Sequence, residues 1–133
     1  MIHAVIDTNI LVSALLSPSG LPAKIFNHVL HGNVTMCFDS NIIAEYQEVL
    51  ARPKFKFNSK AVAQILDFIV QTGISIIPEP LAIEFIDEAD KVFYEVAVSV
   101  NGHLVTGNAK HYPQDAIVVT AQEFLEIVEH CKS

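Results

Sequence analysis

Residues 2–16, IHAVIDTNILVSALL, decide the fold of this 133-residue chain. The residues before Asp7 predict a buried parallel strand, and the apolar run after Asn9 predicts a helix that follows almost without a loop. Asp7 lies at the junction between them. Removing a carboxylate from water is costly unless cations or hydrogen-bond donors compensate it. The carboxyl ends of strands in open α/β sheets also collect ligands. We therefore expect other polar groups to converge on Asp7.

Strand and helix signals alternate along the rest of the chain. Further buried strands are predicted at 34–38, 74–77, 103–106 and 116–119. Helices are predicted after Asn9, from Pro22, from Asp39 or Ser40, from Asn58 or Ser59, after Asp87 and after Thr120. The strands are apolar throughout, which is typical of a parallel sheet covered on both faces. The sequence predicts one α/β domain over residues 1–133, a three-layer α/β/α architecture with a mostly parallel five-stranded sheet.

Composition restricts the class of protein. Half of the residues are hydrophobic, yet no apolar run approaches the length of a membrane span, and the N-terminus has no signal-peptide pattern. Cys37 and Cys131 lie far apart, so we expect a cytoplasmic protein with free thiols. The net charge of −7 argues against a protein that coats DNA, because such affinity comes largely from Lys and Arg. It does not exclude an enzyme that acts on nucleic acid, since bound metal reduces the negative field.

Three acids are predicted to lie half-buried. Asp7 follows the first strand, while Glu45 and Asp90 lie at the borders of the apolar stripes of their helices. Each has a simpler interpretation when taken alone. Asp7 would cap the first helix, Glu45 would face solvent, and Asp90 would be the third-residue partner of an Asp87 cap. Their predicted convergence on one edge of the sheet favours a shared site.

A cluster of carboxylates is suited to metal-assisted phosphoryl transfer. Hard oxygen ligands select Mg²⁺ or Mn²⁺, and Mg²⁺ usually takes one or two carboxylates together with waters and phosphate oxygens. Two other phosphoryl-transfer classes fit poorly. A haloacid-dehalogenase-type phosphatase needs a second Asp two residues after Asp7, where this chain has Asn9. A phosphorelay receiver needs an Asp after the third strand, and residues 74–80 contain none.

Four segments, taken in order, resemble a known family. They are VIDTN at 5–9, Glu45 in the third helix, DEADKVF at 87–93 and LVTGN at 104–108. Over essentially the whole chain they resemble the PIN (PilT N-terminus) domain family, specifically its VapC-like bacterial toxin branch. The resemblance implies a five-stranded parallel sheet and ribonuclease activity that depends on Mg²⁺ or Mn²⁺. It also implies an antitoxin protein as partner and, often, a homodimer.

The resemblance implies roles for individual residues. Asp7, Glu45 and Asp90 would coordinate the metal. Asn108 would complete the site where many relatives have an acid, and its neutral amide puts a tightly held second metal in doubt. Supporting donors would be Thr8, Asn9 and Thr106, although turn and cap hydrogen bonds explain each of them equally well. The Gly-Asn turn gives Asn108 an alternative explanation, because Asn tolerates left-handed backbone geometry.

A basic stretch offers a substrate-binding surface. We expect RNA as substrate, contacted at its backbone by Arg52, Lys54, Lys56 and Lys60, with Phe55 or Phe57 stacking on bases. The alternative is a solvated basic loop whose phenylalanines pack inward. For the whole chain, the alternative function is a metal-impaired PIN scaffold that acts through protein contacts. RNA cleavage that depends on Mn²⁺ and on Asp7 separates the two functions.

Overall fold

Helices and strands alternate along the computed structural model, which describes residues 2–85 and 87–132. Met1, Ile86 and Ser133 of the predicted domain lie outside the described residues. The helices are α1 (Thr8–Leu16), α2 (Leu21–Leu30), α3 (Ser40–Leu50), α4 (Ser59–Thr72), α5 (Glu88–Ser99) and α6 (Ala121–Lys132). Short 3₁₀ turns occur at Pro53–Phe55 and Ala109–His111. Across this described part of the chain, no helix has the length and apolarity required to cross a bilayer.

The sheet is parallel throughout and centred on the first strand. β1 (Ile2–Ile6) pairs with β2 (Val34–Phe38) on one side and with β4 (His103–Val105) on the other. β3 (Ile74–Ser75) lies beside β2, and β5 (Val118–Val119) lies beside β4. The strand order β3-β2-β1-β4-β5 confirms the predicted five-stranded α/β fold. The chain leaves β1 in one direction and later returns to its other side, so the carboxyl end of β1 is a switch point where ligands collect.

The predicted helix caps are present. The Asp39 carboxylate accepts a hydrogen bond from the Ile42 amide at 2.8 Å at the start of α3. Asn58 caps α4 in the same way. Thr120 and Glu123 form a reciprocal capping box before α6, in which each amide donates to the other side chain, at 2.8 and 3.1 Å. These bonds satisfy amides that a helix start leaves without partners, which explains where these helices begin.

The core lies where the central strands meet the helices. Ala4, Val5 and Cys37 are completely buried, and Cys37 packs there as a small hydrophobic side chain. Gly73, between α4 and β3, allows a close approach that other residues would prevent. A Cβ there would lie 2.5 Å from the Met36 carbonyl oxygen. Gly73 therefore fixes how α4 leads into the edge of the sheet.

Both outer strands are shorter than predicted. The predicted strand at 74–77 pairs only over Ile74–Ser75, because β2 ends at Phe38, whose carbonyl accepts a last bond from the Ile76 amide at 3.0 Å. The predicted strand at 116–119 is reduced to Val118–Val119. The reason is a turn over residues 115–118, in which the Asp115 carbonyl accepts a hydrogen bond from the Val118 amide at 3.0 Å.

Candidate active site

Asp7 is a nearly buried carboxylate at the carboxyl end of β1, with 6% of its surface exposed. Its Oδ2 accepts a hydrogen bond from the Thr106 hydroxyl at 2.6 Å. Although Asp7 precedes α1, its side chain makes no capping hydrogen bond, so helix capping does not account for it. Burial raises the pKa of Asp7, and the Thr106 bond, the amides of Thr8 and Asn9 and the charge of His111 offset part of that effect.

Thr106 orients Asp7 from the end of the neighbouring strand β4. Its side chain is completely buried, and its oxygen also accepts from the Asn108 amide at 3.0 Å. A hydroxyl has one hydrogen, so accepting from Asn108 leaves that hydrogen for Asp7. Asn108 itself has φ −123° and ψ 53°, which shows that the left-handed explanation of this residue was wrong. The main chain of Asn108 is thus tied to Asp7 through Thr106.

Glu45 reaches the same region from α3. Its Oε2 accepts a hydrogen bond from the Thr8 hydroxyl, at the start of α1. The adjacent Tyr46 is completely buried, and its hydroxyl donates to the Ile6 carbonyl at the end of β1. This bond fixes α3 against the strand that carries Asp7. Glu45 is half-buried, as its position beside the apolar stripe predicts.

Asp90 approaches from the first turn of α5. Its Oδ2 lies 3.9 Å from His111 Nδ1, and its side chain is 26% exposed. The cap of this helix is instead Asp87, whose carboxylate accepts from the Ala89 amide at 3.0 Å. Burial raises the pKa of Asp90, the negative charges of Asp7, Asp87 and Glu45 raise it further, and His111 lowers it in part. Asp90 therefore lies within electrostatic reach of both other predicted acids.

One cleft of about 300 Å³ joins these groups. The predicted site residues that line it are Asp7, Thr8, Asn9, Glu45, Asp90, Arg52 and Lys54. Asp87 and Glu48 add two further acids to its wall. Thr106 lies buried behind Asp7, whereas Asn108, Lys56 and Lys60 are not among the lining residues that the structure describes. The three predicted acids and half of the basic group thus line one cleft.

The cleft fits a divalent cation by the chemistry of its donors. In their present positions, no three Asp, Glu, His or Cys side chains among residues 2–85 and 87–132 are close enough to hold one ion together. Mg²⁺ does not require three, since it is usually held by one or two carboxylates with waters and substrate oxygens. The raised pKa values of Asp7 and Asp90, caused first by burial, also indicate negative charge that the protein only partly compensates. A cation would neutralise that charge.

The two basic residues that line the cleft, Arg52 and Lys54, already contact other side chains of the protein. Arg52 Nη2 lies 3.0 Å from Glu48 Oε2, one helical turn away. Lys54 Nζ lies 5.1 Å from the centre of the Phe55 ring, over its face. Phe55 stacks on Phe57, with centroids 5.6 Å apart. Both phenylalanines are half-buried against the core, as the inward-packing alternative predicts, yet Phe55 also lines the cleft.

Sequence reasoning missed two tyrosines of the site. Tyr46 lies on the buried face of α3, and the sequence pattern gives no sign that its hydroxyl bonds to β1. Tyr112 follows Asn108 in a loop and belongs to no motif that marks it as a site residue. It is nearly buried close to the acids of the cleft. Its signal was its position, since a loop that follows β4 lies at the same edge of the sheet as Asp7.

Comparison with known proteins identifies a family for this fold. The family model described as "PIN domain" matches residues 3–110, a span that contains Asp7, Glu45, Asp90 and Asn108. An uncharacterized protein of Methanocaldococcus jannaschii, MJ1680, is 28% identical over 110 residues, covering 80% of this chain and 71% of that protein.

A solved structure gives independent support for the fold. The crystal structure of VapBC2 from Rickettsia felis, bound to a DNA fragment from their promoter, contains a chain that superposes with a TM-score of 0.58. The match covers 90% of this chain and 98% of that chain, at 19% sequence identity. At this identity the likeness concerns the fold. Together with the family match over residues 3–110, it shows that the chain belongs to the PIN domain family.

Proposed function

We propose that this protein is a divalent-metal-dependent ribonuclease that hydrolyses phosphodiester bonds in RNA in the cytoplasm. PIN domains are nuclease domains, so family membership supports the general reaction class. The observation that carries the proposal is the cleft in which Asp7, Glu45 and Asp90 are combined with Arg52 and Lys54. Acids that bind a cation and bases that bind phosphate are what such hydrolysis requires.

Asp7, Glu45 and Asp90 are the residues proposed to hold Mg²⁺ or Mn²⁺. When bound, such an ion supplies an activated water and neutralises charge that develops on phosphate oxygens. Thr106 holds Asp7 by one oxygen, and Thr8 holds Glu45 by one oxygen, so both carboxylates are oriented by neighbours. Asn108 would contribute a neutral amide oxygen or hold a water. With no charge there, we expect no tightly held second ion without substrate.

Arg52 and Lys54 are the residues proposed to contact the RNA backbone in the cleft. Both line it together with a group of acids that repels phosphate. Lys56 and Lys60, which do not line it, would contact the backbone further along. Asn9 is exposed and lines the cleft, where its amide would donate to the substrate or to an ion-bound water. RNA affinity should therefore depend on the cation as well as on these basic side chains.

We also propose that the protein is the toxin of a toxin–antitoxin pair and forms a homodimer. The similarity in fold to a chain of the VapBC2 complex supports this assignment. Size measurement of the purified protein, alone and after expression with its genomic neighbour, tests it. A monomer that no neighbouring protein binds would contradict both parts.

The alternative function is a PIN scaffold that acts through protein contacts without metal. It is favoured by one observation, namely that no three described acids converge on a single point. The deciding experiment incubates the purified protein with single-stranded RNA and Mn²⁺. The ribonuclease proposal expects cleavage that EDTA abolishes.

Matched variants complete the test. Asp7→Asn should abolish RNA cleavage, while Asp67→Asn, which changes an exposed acid on α4, should leave it unchanged. RNA turnover by Asp7→Asn equal to that of the wild type would contradict both the site and the mechanism. A wild-type protein that neither cleaves RNA nor binds Mn²⁺ would support the scaffold.

A further inference from the structure

Tyr112 carries a buried hydroxyl that residues 2–85 and 87–132 leave without a hydrogen-bond partner. The residue is 5% exposed, and its oxygen makes no hydrogen bond with any of the residues described. The ring is held in place, since it packs edge-on against Phe85 with centroids 5.9 Å apart. Its amide donates to the Ala109 carbonyl at 3.1 Å and closes the 3₁₀ turn. The ring and the main chain of the residue are thus fixed, and the hydroxyl is the part that lacks a hydrogen bond among the described residues.

Buried hydroxyls in folded proteins nearly always have a hydrogen-bond partner, because losing water without replacement is unfavourable. Tyr94 and Tyr112 both pack against the ring of Phe85, and these three residues form an aromatic cluster. Tyr94 shows the ordinary arrangement of a tyrosine hydroxyl. Its hydroxyl donates to Asp115 Oδ2 at 2.7 Å. A phenylalanine would fill the position of Tyr112 without the penalty of an unpaired hydroxyl. The hydroxyl therefore calls for a partner that is not part of the described protein.

The surroundings of Tyr112 indicate where that partner lies. The preceding residue, His111, lies 3.9 Å from the carboxylate of Asp90, which lines the acidic cleft, so the turn that ends at Tyr112 lies beside that cleft. In agreement with this position, burial raises the pKa of Tyr112, and the negative charges of Asp7, Asp90, Glu45 and Asp87 raise it further. These four acids all line the cleft described above. At neutral pH the hydroxyl is consequently a protonated donor next to the acidic cleft. A donor in that position suits an oxygen atom, which is what both a hydrated cation and a phosphodiester present.

We propose that Tyr112 is a positioning residue whose hydroxyl donates a hydrogen bond to an oxygen held in the acidic cleft, either a water of the cation's hydration shell or a phosphate oxygen of RNA. This inference rests on the proposed function, because it takes the cleft to be the cation and RNA site. The acids bind charge, and Tyr112 adds a directional contact from the buried side. It accounts for a tyrosine where packing alone would favour phenylalanine.

The test compares Tyr112→Phe with Tyr94→Phe, two variants that each remove one tyrosine hydroxyl from the same aromatic cluster. Mn²⁺ affinity is measured by isothermal titration calorimetry without RNA, and RNA affinity is measured with Ca²⁺ replacing Mn²⁺ to slow cleavage. Loss of one hydrogen bond predicts affinity about 2- to 10-fold weaker in Tyr112→Phe. A weaker Mn²⁺ affinity identifies the water, and a weaker RNA affinity alone identifies the phosphate oxygen.

Thermal unfolding in EDTA separates this role from a structural one. Tyr112→Phe should be at least as stable as the wild type, because the hydroxyl makes no hydrogen bond with the part of the protein that the structure describes. Tyr94→Phe should be less stable, with unchanged affinities. Affinities of Tyr112→Phe within 2-fold of wild type for both ligands would overturn the inference alone. Wild-type protein that binds Mn²⁺ no better than Asp7→Asn would overturn the proposed function and this inference with it.

Discussion

Neutralising Asp7 should make the metal-free protein more stable while it abolishes the proposed activity. Only 6% of the surface of Asp7 is exposed. Among the described residues, the Thr106 hydroxyl is the one side chain that donates a hydrogen bond to its carboxylate. An uncompensated buried charge costs several kcal/mol, and a hydrogen bond to a charged group offsets about 1.5–3 kcal/mol of that. Asn at this position keeps an oxygen that accepts from Thr106 and removes the charge.

We therefore expect Asp7→Asn to raise the free energy of unfolding by about 1–2 kcal/mol at pH 7, or the Tm by about 3–8 °C for a chain of this size. The gain should depend on pH. Burial raises the pKa of Asp7 above its ordinary value of 3.8, so the folded state binds more protons than the unfolded state between 3.8 and that raised value. The free energy of unfolding of the wild type therefore falls as pH rises through this window, because Asp7 loses its proton. The asparagine side chain has no proton to lose, so the free energy of unfolding of the Asp7→Asn variant does not show this fall.

The assay is differential scanning calorimetry in EDTA from pH 4 to pH 8, with Asp67→Asn as the exposed control. His103 also changes stability with pH, because burial lowers its pKa below 6.5 and its contribution is lost as pH falls below 6.5. Wild type and variant share that effect, so their difference isolates Asp7. A variant that is less stable than the wild type at pH 7, or a difference that does not grow with pH, would refute the reasoning.

Three further changes test the arrangement of the cleft. Thr106→Val removes the hydrogen bond to Asp7 and should lower the free energy of unfolding by about 1.5–3 kcal/mol, measured by urea denaturation. Tyr46→Phe leaves a main-chain carbonyl of β1 unpaired in the core and should cost about 1–3 kcal/mol in the same assay; an unchanged midpoint would exclude the proposed link between α3 and β1. Lys54→Glu should weaken RNA binding and reduce its dependence on salt by roughly one phosphate contact, whereas Lys110→Glu outside the cleft should do neither.

The strand and helix order was predictable because each local signal agreed with the global fold. Apolar runs, helix caps and stop residues placed the elements in order, and Asp39 and Thr120 cap their helices as their sequence contexts predict. The ends of the outer strands were not predictable. They depend on where the neighbouring strand stops, as at Phe38, and on a turn made by Asp115. Such limits come from pairing between distant segments, which a local pattern does not contain.

The half-buried acids were predictable from helical periodicity alone. Glu45 and Asp90 lie at the borders of apolar stripes, and a border residue on a helix that packs at a sheet edge points along that edge. The direction of each carboxylate was not predictable, since it depends on hydroxyl donors such as Thr8 and Thr106 from other elements. The basic segment has no such period, because a 3₁₀ turn interrupts it and Lys56 adopts a left-handed conformation with φ 56°.

The two-residue outer strands have a consequence for self-association. A long exposed strand edge offers a row of amides and carbonyls to which another chain adds by main-chain pairing, a common route to aggregation. β3 and β5 each present two residues at the rim of the sheet. Such short strands offer few main-chain hydrogen bonds to a strand from another molecule. If two copies of this protein join, we expect helix surfaces, rather than a continuous intermolecular sheet, to form the contact.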